Sequence, residues 1–187
     1  MGLVPWKKTG DPQVLAKGYG KSFTKQDFLD HAGKPTDFYF FDQPSWSVIL
    51  ALTEDGNVLT VRQFKQGAEE IIEELPGGQA NFAGEDPAAV IRRELLEETG
   101  YSSDDVAFLG WDWMNSRNSH TKFFGFLAKG CRKTASPHLD PSEQMEIAER
   151  PLAEWMKMAF GDRTVGWGSS LLTLWALPSL NFTIREK

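Results

Sequence analysis

The segment RRELLEETG, Arg92 to Gly100, places Glu94, Glu97 and Glu98 within reach of one another if the chain is helical there. Residues three and four apart share a helix face, so these carboxylates converge although like charges at that spacing repel. At about 100° per residue, Ala88, Ile91 and Leu95 form the apolar stripe. Glu98 then falls beside Ile91, Glu94 slightly further round and Glu97 beyond it, so the acids flank the buried edge. Carboxylates gathered in this way either raise one another's pKa or hold a hard cation through oxygen. Mg²⁺ or Mn²⁺ suits such a site, and the lack of nearby His or Cys argues against zinc. A glutamate-rich solvated face is the competing reading of the same residues.

The elements that must position these acids are legible around them. Asp86 reads as an N-cap, Pro87 as the first helical residue and Gly100 as the C-terminal stop. Upstream, Gly77, Gly78 and Gly84 permit tight turns and a close backbone approach to a ligand. Aromatic β structure is expected at TDFYFFD, Thr36 to Asp42. SVILALT and NVLTVRQF, separated by EDG, read as a hairpin, and EIIEEL (70–75) as a further strand. Strands are also expected at VAFLGWDW (106–113) and TKFFGFLA (121–128), around the polar loop MNSRNSH. Helices fit PLAEWMKMAF from Pro151 and SSLLTLWAL from Ser169. The first ~35 residues, rich in Gly, Lys and Pro, read as an arm with at most short strands. Such an order predicts an α/β arrangement with helices covering a mixed sheet. Trp46, Trp111 and Trp113 fall in or near core strands and read as packing residues, while Trp6, Tyr39 and Phe41 are aromatic candidates for stacking a base.

Length and composition bound the function. The 187 residues fit one generous domain or a compact domain with an N-terminal attachment. With 41% hydrophobic and 25% charged residues the chain has the make-up of a globular protein. Its net charge of −6 opposes broad attachment to nucleic acid. A phosphorylated ligand therefore requires metal ions for its missing positive charge. The opening MGLVPWKKTG lacks an apolar stretch after its lysines, and no segment approaches a membrane span, so a cytoplasmic protein is expected. The single Cys131 forms no internal disulfide.

ELPGGQANFAGEDPAAVIRRELLEETGY, Glu74 to Tyr101, resembles the signature of the Nudix hydrolases: Gly, five residues, Glu, seven residues, then Arg-Glu-apolar-any-Glu-Glu-any-Gly-apolar. Glu85, Arg93, Glu94, Leu95, Glu97, Glu98, Gly100 and Tyr101 match it one by one, while six residues rather than five separate Gly78 from Glu85. The resemblance implies an α/β/α sandwich with a mixed β-sheet and an N-terminal arm or small β extension. Residues 1–44 would form that arm and 45–187 the catalytic domain. By the same resemblance Glu94, Glu97 and Glu98, with the backbone oxygen of Gly77, would hold Mg²⁺ or Mn²⁺ against a diphosphate. Glu85 would help order the site and Arg93 would orient the glutamates.

VLTVRQFKQG followed by EELPGG, and later SEQMEIAERPLAEW, are similar to the subgroup that cleaves ADP-ribose and other nucleoside diphosphate sugars. That subgroup implies catalytic roles for Glu97, Glu98 and a late-loop acid, Glu143 or alternatively Glu146. Arg62 and Lys65 become candidates for phosphate or sugar contacts. Members selective for ADP-ribose tend to carry a proline sixteen residues after the signature, where this chain has Arg117, a candidate for a phosphate or polar sugar contact. The expected activity is hydrolysis of the diphosphate bond of a nucleoside diphosphate sugar, a small-molecule partner. Cleavage of a nucleoside triphosphate or a dinucleoside polyphosphate, or non-catalytic sensing of a nucleotide sugar, are the alternatives. The resemblance also implies a homodimer, with Phe38 to Phe41 a candidate interface.

Overall fold

The structure, a computed structural model, describes residues 2–140, 143–161 and 164–180. Its contacts divide the chain into two units, Met1–Ser45 with Asp112–Lys122, and Trp46–Trp111 with Phe123–Lys187. Among the described residues no helix is long and apolar enough to cross a membrane.

The first unit is built on a three-stranded antiparallel sheet of β1 (Lys7–Gly18), β2 (Lys21–Leu29) and β3 (Pro35–Asp42), in that order. Reading residues 1–35 as an arm with at most short strands is therefore corrected, since β1 runs for 12 residues and β2 for 9. Almost every residue of β1 is exposed, so no two-residue hydrophobic alternation marks it in the sequence. Cross-strand pairing holds it instead. Where the β1 register shifts after Thr9, buried Gln26 fills the irregularity, and its side-chain amide donates to the carbonyls of Thr9 and Gly10 at 3.0 and 3.2 Å. Trp113, read as a packing residue, is 39% exposed and has Lys122 Nζ 5.3 Å from its ring centroid.

The second unit is a mixed sheet between helices. β4 (Trp46–Thr53) lies between β5 (Asn57–Lys65), antiparallel, and β10 (Lys122–Lys133), parallel to it from Phe123 onward. β6 (Glu70–Glu74) and β11 (Glu146–Pro151) pair with β5, β7 (Gly77–Gln79) with β4, and β8 (Tyr101–Ser102) and β9 (Asp105–Trp113) with β10. β4 is buried on both faces, as its unbroken SVILALT run requires. On one face α1 (Pro87–Thr99) packs Ile91 and Leu95 against Ile49, Ala51, Phe126 and Ala128. On the other, α3 (Trp167–Ala176) lies so close to Gly125 that an added Cβ would press on Leu172 and Trp175. α2 (Leu152–Gly161) joins that layer through buried Trp155, whose Nε1 donates to Thr173 at 3.0 Å. Trp111, also read as a packing residue, is 46% exposed.

One buried ion pair ties three strands together. Glu73 on β6 is 5% exposed and receives Arg150 of β11 in a two-pronged contact, Nε at 2.8 Å and Nη2 at 3.0 Å. Thr60 of β5 donates a third bond at 2.7 Å. Burial alone would raise the Glu73 carboxyl, but Arg150, Thr60 and Arg62 outweigh it and hold the group below its ordinary 4.5. A carboxyl held low in the folded state stabilises above its ordinary value, and that stability is lost as the pH falls through the folded value. Replacing Arg150 with alanine strands the Glu73 charge and should cost about 3 kcal/mol at pH 7 by urea unfolding. The gap between variant and parent should narrow on acidification below pH ~4, because protonated Glu73 no longer needs its partner. A gap independent of pH would show that Arg150 contributes only packing.

Candidate functional site

α1 presents its acids in graded burial. Asp86 caps it by accepting from the Ala88 amide at 3.1 Å, and Gly100, at φ 77°, ends it by donating its amide hydrogen to the Leu96 carbonyl. Glu98 is 5% exposed, whereas the side chains of Glu94 and Glu97 are 15% and 45% exposed. Glu98 Oε2 accepts the Gly77 amide at 2.9 Å. Burial pushes the Glu98 carboxyl up to about 8, the Glu94 and Glu143 charges add to the rise, and the Gly77 amide and the Lys65 charge oppose it. Glu94 is also raised, first by burial and then by Glu97 and Glu143, against the pull of Arg93.

Arg93 is the local organiser. Its Nη1 lies 2.8 Å from Glu94 and 3.0 Å from Glu97, and Nη2 donates to the Gln79 carbonyl at 3.3 Å. Nε is buried without a hydrogen-bond partner among the described residues. β7 passes directly over this face: a methyl group on Gly78 would overlap the Glu94 carboxylate, and one on Gly77 would overlap the backbone of Ser47. Only glycine lets backbone and carboxylates come this close. Beyond β7 the six-residue spacer folds into a turn in which Glu85 accepts the Asn81 amide at 2.6 Å.

The other candidate residues are distributed unevenly. Exposed Glu143 donates its amide to the Asp140 carbonyl at 2.8 Å and accepts the Asp140 amide at 3.2 Å, while its charge adds to the rise of Glu94 and Glu98. Glu146 is engaged elsewhere, 2.8 Å from Arg62 Nη1. Arg62 also approaches Glu73 at 3.7 Å, and Lys65 is bound to Glu74 at 2.5 Å. Arg117 belongs to the first unit, where its guanidinium stands 5.7 Å from the centroid of the Phe38 ring. The Arg150 partner of Glu73 escaped the sequence reading because it stands 77 residues along the chain. The only signal available was a pair of charges at the end of a further strand candidate.

Glu94, Glu97, Glu98 and Glu143 offer only oxygen donors, which fit a hard divalent cation, and burial disfavours the charged forms of Glu94 and Glu98, which a positive ion beside them would favour. In their present pairing with Arg93 and Gly77, no three acidic, His or Cys side chains among the described residues stand at metal-holding spacing. The orphaned Arg93 Nε adds an unused donor in the same place.

Comparison with known proteins bears on the identity of this site. A family model described as the NUDIX domain matches residues 42–163. The chain is 28% identical over 127 residues to an ADP-ribose pyrophosphatase of Bacillus subtilis (strain 168), covering 67% of this chain and 68% of that one. It is 30% identical over 117 residues to a methanol dehydrogenase activator of Bacillus methanolicus, covering 59% and 60%. A crystal structure of an ADP compounds hydrolase superposes with a TM-score of 0.80 over 94% of this chain and 95% of that one, at 19% identity, a likeness of fold.

The crowding at β7 can be tested without any substrate. Gly78→Ala should cost about 1–3 kcal/mol in urea unfolding, as overpacking does. Adding Glu94→Ala to the same chain removes the overlapping carboxylate and should recover part of the loss, a coupling of at least ~0.5 kcal/mol. Strict additivity would refute the contact.

Proposed function

Since the chain belongs to the Nudix family, we propose that it hydrolyses the diphosphate bond of a nucleoside diphosphate sugar such as ADP-ribose, releasing a nucleoside monophosphate and a sugar phosphate. The observation that carries the proposal is the packing of the α1 acids under β7, where the Gly77 amide donates to Glu98 at 2.9 Å and Gly78 leaves room for the Glu94 carboxylate. The relative named as an ADP-ribose pyrophosphatase supports the choice of substrate class.

Glu94, Glu97 and Glu98, with the Gly77 carbonyl, are the residues proposed to hold Mg²⁺ or Mn²⁺. A divalent cation there supplies charge to neutralise the diphosphate and lowers the pKa of water. Arg93 orders Glu94 and Glu97, and the Gly77 amide orders Glu98, before any cation arrives. Glu143 Oε is assigned the proton of the attacking water. Glu85 closes the turn beyond β7, a supporting role. Lys65, whose charge already reaches Glu98, is assigned a phosphate contact. Arg62, engaged by Glu73 and Glu146, is better placed to hold β11 behind Glu143 than to meet substrate directly. Arg117 is assigned a polar contact to the sugar or phosphate.

We assign a second copy of the chain to the first unit's sheet. Among the described residues this unit buries no hydrophobic side chain, and one face carries Phe23, Tyr39 and Phe41, each 40–48% exposed, with the Phe23 and Tyr39 rings stacked at 5.8 Å. A sheet without a core of its own needs a partner surface.

Release of phosphatase-labile phosphate from ADP-ribose, ADP-glucose, GDP-mannose and UDP-glucose should require Mg²⁺ or Mn²⁺ and vanish in EDTA. Glu97→Gln and Glu98→Gln should each lower kcat about a thousandfold, the loss of roughly 4 kcal/mol of charge stabilisation, with far-UV spectra unchanged. Turnover of triphosphates or dinucleoside polyphosphates alone would shift the substrate class, and binding without turnover of any compound would favour a sensor. Light scattering should give a dimer, and Tyr39→Asp with Phe41→Asp should give a monomer. A monomeric parent chain would remove the second copy.

A further inference from the structure

Trp167 opens α3 with 53% of its surface exposed. It is not a loose surface ring. Its indole leans on Phe123 of β10, with centroids 5.5 Å apart and planes at 42°, and Phe123 is itself buried at 2% and braced by Trp175 at 5.8 Å. On either side stand Gly166 and Gly168, which leave no neighbouring side chain to cover the ring. A Cβ at Gly168 would press on Phe123, and one at Gly166 would overlap the Glu74 carboxylate.

The start of α3 is stitched to the segment that carries the site. The Glu73 amide donates to the Thr164 carbonyl at 2.8 Å, and the Leu75 amide to Ser169 Oγ at 2.9 Å. Gly77, the residue that holds Glu98, lies two residues beyond Leu75, about 7 Å along extended chain. Glu74, against Gly166, binds Lys65, whose charge in turn reaches Glu98. An exposed, rigidly backed indole thus opens the helix whose start is fastened to the segment leading to Gly77, next to Glu74 and the lysine that Glu74 binds. In a nucleoside diphosphate sugar, the aromatic base is separated from the diphosphate by a ribose. We propose that Trp167 is the stacking platform for that base and sets the preference for nucleotide over base-free diphosphates. The inference rests on the proposed substrate class.

A platform remote from the bond that breaks contributes equally to ground and transition states, so its loss appears in KM and not in kcat. Trp167→Ala should raise KM for ADP-ribose about tenfold at constant kcat, the range expected for one base on one aromatic ring. Trp167→Phe should retain most of the affinity. An alkyl diphosphate ribose, which lacks the base, should show the same KM in parent and Trp167→Ala proteins. AMP should quench tryptophan fluorescence in the parent but not in Trp167→Phe, a readout independent of turnover. An unchanged KM for Trp167→Ala, an equal loss in Trp167→Phe, or an equal loss with the base-free substrate would overturn the platform. Absence of turnover by the parent chain would instead overturn the substrate class, leaving the AMP titration to judge Trp167.

Discussion

The burial of the Glu98 carboxylate against the Gly77 amide is the constraint on which the candidate site depends. A carboxylate taken out of water and left among other acids is costly, and burial accordingly pushes Glu98 up to about 8. One backbone hydrogen bond offsets only part of it. The site is therefore held together by the fold around it rather than by its own attractions.

What the fold supplies is a strap, residues 73–79, in which successive residues fasten to different elements. Glu73 takes Arg150 of β11 and Thr60 of β5, and Glu74 takes Lys65. Leu75 meets Ser169 at the start of α3, and the Pro76 carbonyl accepts the Ile49 amide of β4 at 3.0 Å. Gly77 then holds Glu98, Gly78 leaves room for Glu94, and the Gln79 carbonyl receives Arg93. The strap thus passes the rigidity of both sheet faces to the acids of α1. Arg93 completes the arrangement by taking two carboxylates in one guanidinium, a geometry open to its planar fork and not to a lysine.

Sequence pattern revealed those parts whose determinants are local. The caps of α1 follow from Asp86 and Gly100, and the order of exposure, Glu98 least, then Glu94, then Glu97, from a period of 3.6 residues. β4 announced itself by an unbroken apolar run. β1 was hidden, because a strand exposed on both faces carries no alternation, and Lys and Gly disguise it as a loop. The strap was hidden for another reason: Arg150 lies 77 residues from Glu73 and Ser169 lies 94 from Leu75. Trp167 needed the true start of α3, two residues before the Ser169 at which periodicity begins it.

Such an arrangement sets stability against binding. Glu94 and Glu98 are each raised by burial, so both would be better served thermodynamically by neutral residues of the same shape. A ligand that binds the folded chain alone returns stability in proportion to its occupancy, so the proposed cation would offset that cost. Arg93 already satisfies part of the demand and would have to share Glu94 and Glu97 with any cation that arrives. Its buried Nε, without a partner among the described residues, indicates that the guanidinium sits in a compromise position rather than at its own optimum. In the proposed metal-bound state Arg93 would therefore have to release part of its hold on Glu94 and Glu97.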